Sequence, residues 1–171
     1  MVRDNEEEAR LSDPERCFRN RRRESKVNII EKVRNLVQSF PDIPQVLNTV
    51  HVDFMDTEPT NYGLSSIGDE LIVEDIIGGQ LRQHTFMLYT TYSSMNDYER
   101  LHNSSALLEL GLWLEQQVGC EITTTVNSTS KSGQLEKISV SNGMLYAVPQ
   151  EDELDSYQYQ IQIVAEYTVA P

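Results

Sequence analysis

Three histidines, two cysteines and a few groups of carboxylates are the residues of this 171-residue chain that could do chemistry. His51, His84 and His102 stand too far apart for the H-x-x-x-H or H-E-x-x-H spacing that sets two imidazoles on one helix face around zinc. His84 falls in an alternating stretch and reads as a packed or interfacial residue rather than a ligand. Asp53, Asp56 and Glu58 could gather around a cation, but they lack the D-x-D-x-D-G spacing of a calcium loop, so turn formation and solvation explain them. The acidic run Glu151, Asp152, Glu153, Asp155 reads the same way. No G-x-S-x-G, Walker loop or G-x-G-x-x-G occurs. Gly78-Gly79 lies between two strand patterns rather than between a strand and a helix, which suits a hairpin turn and not a phosphate cradle. Cys17 and Cys120 form no C-x-x-C pair, and Cys120 follows a helical pattern rather than opening one, so nothing activates its thiol. Two reduced thiols in a cytosolic protein are the simplest reading. From these residues we expect no catalytic group, no metal and no cofactor.

The elements that must carry this chain are clearer. Residues 78–92, GGQLRQHTFMLYTTY, alternate: His84, Phe86, Leu88 and Tyr92 on one side, Thr85, Met87, Tyr89 and Thr91 on the other. With Leu71 to Ile77 before it, this predicts a β-hairpin over 71–92 as the spine of a sheet. A helix is predicted over 28–40, where Asn28 and Glu31 have capping-box spacing and Ile30, Val33, Val37 and Phe40 recur at helical intervals. Pro41 and Pro44 stop it. The segment TVHVDF holds a short strand candidate, and 56–70 reads as turn-rich because of Pro59, Asn61, Gly63 and Gly68. A second helix is predicted over 104–118, with Leu107, Leu110, Leu114 and Val118 as its stripe, broadened by Leu108, Leu112 and Trp113 into a mostly buried face. Gly119 is its stop. Residues 121–133 are Thr/Ser-rich. Two strands, 135–141 and 144–148, are predicted to join through Asn142-Gly143, a strong hairpin signal. The final strand is the cleanest: Tyr157, Tyr159, Ile161, Ile163, Ala165 and Tyr167 toward the core, Gln158, Gln160, Gln162 and Glu166 outward. These pieces predict an α+β fold, a mixed or antiparallel sheet of four to five strands with two helices packed on one face.

The net charge of −13 is unevenly placed. Residues 1–26 carry eight Lys/Arg and seven Asp/Glu, which leaves six basic and twenty acidic residues, or −14, for residues 27–171. Too few large apolar residues lie in 1–26 to repay the entropy of ordering it, so it reads as a disordered, solvated extension. Its cluster Arg19, Arg21, Arg22 and Arg23 is the one basic patch, and neighbouring glutamates offset it. An acidic body disfavours binding to a nucleic-acid backbone. No apolar run is long enough to cross a bilayer, and the charged start lacks a signal-peptide core.

The order of these pieces resembles the tail terminator family of tailed bacteriophages, also described as minor capsid or tail completion proteins. The similarity runs from about Val27 to Thr168. It is carried by VNIIEKVRNLVQSFP, VDFMDTEPTNYGL, GGQLRQHTFMLYTTYSS, LLELGLWLEQQ, ISVSNGMLYAV and YQYQIQIVAEY. Each piece is diffuse, and their order and spacing are the specific part. Residues 1–26 depart from the family, whose members usually begin near the first helix. The resemblance implies a ring-forming subunit, a homo-oligomer of six copies, without catalysis. Such a ring caps the tail tube, stops its polymerisation and offers a docking face to the head-tail connector or stopper protein. DNA would pass through an acidic lumen without specific binding. On this reading the polar, weakly patterned stretches 59–69, 123–134 and 151–155 reach neighbouring subunits or the major tail tube protein. The candidate contact residues are Asn61, Tyr62, Arg82, Ser130, Lys131, Glu151, Asp152 and Glu153. The rivals are another neck component, which would be richer in helix, and a small ligand-binding or hydrolase domain, which would need a pocket with converging polar groups.

Overall fold

The computed structural model describes residues 27–41, 50–52, 61–93, 97–147 and 156–171. The elements run α1 (Ile29–Gln38), β1 (Val50–Val52), β2 (Asn61–Glu74), β3 (Gln80–Ser93), α2 (Asp97–Glu115), β4 (Glu121–Val126), β5 (Thr129–Ala147) and β6 (Ser156–Val169). The strands form one sheet in the order β1-β2-β3-β6-β5-β4. Five of them are antiparallel; the three-residue β1 adds a parallel edge against Tyr62–Leu64. The fold is α+β, as expected. The expectations for residues 1–26 and 151–155 lie outside the described residues.

The capping box of α1 is present. The Glu31 amide donates to Asn28 Oδ1 at 2.9 Å, and the Asn28 amide donates to Glu31 Oε2 at 3.3 Å. Two of the four amides left over at a helix start are thereby satisfied. Ile29, Val33, Val37 and Phe40 are buried, and Ile30 is only partly so. Helix α2 begins at Asp97, about two turns before the expected Ser104. Its buried stripe is also narrower than expected: Leu107, Leu110 and Leu114 are buried, whereas Leu108, Leu112 and Val118 are exposed. A single curled sheet can touch only one side of a helix, so the extra leucines face away. The helices meet where Phe40 and Trp113 pack edge to face at 5.6 Å. The helix ends at Glu115, three residues before the expected Val118, and Gly119, with φ +77, lies in the connection to β4 rather than at the helix stop.

β6 is the centre of the sheet. It pairs with β3 over its whole length and with β5 on its other side. Tyr159, Ile161, Ile163, Ala165 and Tyr167 are buried, which bears out the alternation. They meet Phe86, Leu88, Leu135 and Ile138 in the core.

Two turn assignments are corrected. Asn142-Gly143 is not a hairpin: β5 runs unbroken from Thr129 to Ala147. Ser141 pairs with Gln162 and Met144 with Gln160, so β5 takes three steps where β6 takes two. That is a bulge, and a Cβ on Gly143 would press on Ile161 Cγ2 at 3.3 Å. The tight hairpin falls instead at Asn127-Ser128, where φ is +48 and +66, the signs a two-residue β4–β5 turn requires. The expected turn-rich stretch 56–70 is likewise strand from Asn61 onward.

The β2–β3 connection is Asp75–Gly79. Asp75 Oδ1 accepts from the amides of Ile77 at 2.9 Å and Gly79 at 2.8 Å, and Gly78 has φ +92. An aspartate that satisfies two turn amides fixes this loop from within.

Candidate functional site

β2 carries the bulge that builds the site. Ser66 pairs with Phe86 and Gly68 with Thr85, so one extra residue, Ile67, sits between them. The bulge shifts the phase of the strand. Ser66 before it and Asp69 after it therefore share one face with His84 of β3, although they are three residues apart. The register of β3 with β6 sets Tyr167 opposite Arg82. Three adjacent strands thus deliver Ser66, Asp69, Arg82, His84 and Tyr167 to one place.

Asp69 is the hub. Its Oδ2 accepts from the Tyr167 hydroxyl at 2.7 Å and lies 3.1 Å from His84 Nδ1. Its Oδ1 accepts from Arg82 Nε at 2.6 Å, and a second guanidinium nitrogen completes the ion pair. His84 Nε2 lies 2.8 Å from Ser66 Oγ. The imidazole is buried and stacks on Phe86 with ring centroids 4.4 Å apart. Arg82 also donates to Gln80 Oε1 at 3.1 Å.

The electrostatics follow from those contacts. Partial burial would raise the Asp69 carboxyl pKa. The hydrogen bonds from Tyr167, Arg82 and His84 outweigh that and hold it below the ordinary carboxylate value. Burial first, and the neighbouring carboxylate second, push the Tyr167 phenol up to about 12. Arg82 is held more firmly protonated by Asp69.

Chemically the arrangement has two faces. Ser66, His84 and Asp69 follow the order of a nucleophile, a base and an orienting carboxylate. The carboxylate, however, already spends its charge on Arg82 and its second oxygen on Tyr167. The same contacts make a clasp that locks the outer strand β2 to β3 and β6.

The expected contact residues separate. Arg82 belongs to this cluster. Ser130 and Lys131 lie just past the β4–β5 turn, in paired strand rather than free loop. Asn61 opens β2. Tyr62 is corrected: it is a core residue, 4% exposed, because the parallel pairing with β1 covers it. Glu151, Asp152 and Glu153 lie outside the described residues. Cys120 is also corrected. It is buried, and no free thiol is found among the described residues. Ser66, Asp69 and Tyr167 were missed: Asp69 and Tyr167 are 98 residues apart, and only the bulge and the β3–β6 register bring them together.

Elsewhere a groove of about 530 Å³ runs between α2 and β5, lined mainly by Leu107, Leu108, Leu112, Leu145, Tyr159 and Ile161. Among the described residues no group of three or more His, Cys, Asp or Glu could hold a metal ion, and no helix is long and apolar enough to cross a membrane. No protein-family model matches the chain, and no curated protein is significantly similar to it.

Proposed function

We propose that this chain is a structural virion subunit, a tail terminator that forms a ring on the head-proximal end of a bacteriophage tail. The ring caps the tube, ends its polymerisation and gives the connector or stopper protein a surface to join. The reading rests on the sequence resemblance. The structural observation that supports it most is the outer strand β2, clasped rigidly to the sheet by Asp69, yet exposed from Ser66 to Glu74. Such a strand suits a protein that functions by assembling. The body charge of −14 over residues 27–171 suits a passage through which DNA slides without sticking. On this reading the chain is not an enzyme, the partners are further copies of itself, the major tail tube protein and the connector, and six copies close the ring. A phage lacking the protein is expected to make tails of uncontrolled length that fail to join heads. Tails of normal length joined to heads would refute it.

One observation favours a second reading, a serine hydrolase: the Ser66–His84–Asp69 chain, at 2.8 and 3.1 Å. It requires Ser66 to be labelled by a fluorophosphonate, with the label lost in Ser66→Ala. Unlabelled wild-type protein excludes it.

A further inference from the structure

β2 ends the sheet in an unusual way. β1 covers it only at Tyr62–Leu64, and among the described residues no strand pairs with its outer edge beyond that point. Ile67, Leu71, Ile72, Val73, Ile76 and Ile77 are all exposed, Ile76 completely. Together they present on the order of 600 Å² of mainly apolar surface. That is the upper end of the largest patch on an ordinary monomer, and most of the ~800 Å² that one partner gives to a standard interface. A long strand edge that no other strand pairs among the described residues is a template for another strand. The two bulges in β2, at Ser66/Gly68 and Leu71/Val73, twist the edge without covering it.

The opposite end of the sheet is β4. From outside the β4–β5 pair, the Val27 carbonyl takes the Thr123 amide at 2.9 Å. From Thr125 to Ser130 the β4–β5 hairpin is exposed. It lacks the acidic charge of β2 around its turn. Residues 65–75 hold Asp69, Glu70, Glu74 and Asp75 and no Lys or Arg, whereas the β4–β5 hairpin, residues 121–134, holds Lys131 near its turn and Glu121 only at its far end. Pairing β2 with a second β2 would set acidic residues against acidic residues, which is destabilising. Pairing it with a Thr-rich hairpin whose tip carries Lys131 and no carboxylate would not.

We infer that the open edge of β2 is completed by the β4–β5 hairpin of a second copy of this chain, so that the sheet continues from one subunit into the next. The inference rests on the ring reading and gives it an interface. The contact is head-to-tail, so each subunit uses both of its sheet ends, and repetition closes a ring when the rotation allows. Val126, exposed at the tip of β4, then meets the aliphatic patch. Lys131 then stands on the face of the joined sheet that carries Glu74, the face opposite Glu70.

Cross-linking of full-length protein tests this. Val73→Cys and Thr125→Cys are made in separate preparations and oxidised gently, alone and mixed, beside the unmodified protein. A linked dimer that forms only in the mixture is expected, and a ladder of higher species when both changes sit on one chain. Separately, Glu74→Lys and Lys131→Glu should each shift sedimentation toward monomer, and the two together should restore the oligomer. A linked dimer of Val73→Cys alone would show a symmetric edge contact and overturn the proposal. An oligomer that forms without any cross-link would overturn it and leave the ring reading standing. Protein that stays monomeric at all concentrations would also overturn it, while tail length in the phage lacking the protein decides the ring reading independently.

Discussion

Removing the Asp69 carboxylate tests whether the polar cluster is a clasp. In Asp69→Ala three donors lose their acceptor. Arg82, whose side chain is 28% exposed, turns to water at little cost. Tyr167 and His84 cannot, because both are buried. A stranded buried donor costs about 1–3 kcal/mol, so the substitution should destabilise by about 2–4 kcal/mol. Tyr167→Phe keeps the ring in the core and removes one donor. The Asp69 side chain is 24% exposed, so water partly replaces the lost bond and the cost falls to about 1 kcal/mol. The double variant should cost less than the sum by about 1 kcal/mol, since no phenol is left to strand. Urea unfolding gives these values as midpoint shifts at constant slope. The pH dependence has a definite sign. The folded carboxyl has a pKa below the ordinary 3.8, so its contribution is complete above that value and is lost as pH falls through the folded pKa. The slope of stability against pH in this acid range should flatten in Asp69→Asn. Costs that simply add, or an unchanged acid slope, would refute the clasp.

Three further outcomes are expected. Tyr167 should resist ionisation until about pH 12, seen as one late tyrosinate in an ultraviolet titration and shifted lower in Asp69→Asn; its stabilising contribution is full below pH 10 and lost as pH rises through 12. Gly133→Ala should prevent stable folding, because the new Cβ would overlap the Thr168 carbonyl, whereas Gly68→Ala, with open space around it, should change the melting temperature little. Trp113→Ala should cost roughly 2–3 kcal/mol by urea unfolding, less than for a fully buried tryptophan, because the ring is only partly covered and its main loss is the contact with Phe40.

What could be read from the sequence was whatever a single element decides by itself. The Asn28–Glu31 box needs only four residues of one helix turn, and the alternation of β6 needs only that strand between two neighbours. What failed depended on competition between elements. Asn142-Gly143 is a better turn dipeptide than Asn127-Ser128, yet the chain turns at the second. An unbroken β5 pairs Leu135–Ala147 with the long β6, and folding back at Gly143 would give up that ladder. The bulge at Gly143 keeps most of the ladder and leaves the weaker signal to close the shorter β4–β5 pair. The breadth of the α2 stripe misled for the same kind of reason: Leu108 and Leu112 have helical spacing, but the sheet offers them no surface. The Asp69 cluster was illegible because a one-residue bulge decides its phase. Without Ile67 as the extra residue, Asp69 would point to the opposite face from His84. The clasp and the edge on which the proposed assembly depends are therefore products of the same strand. The bulge that turns Asp69 inward to hold β2 in place also leaves Ile67 exposed on it, so the strand is fixed to its own sheet while its outer side stays open to another.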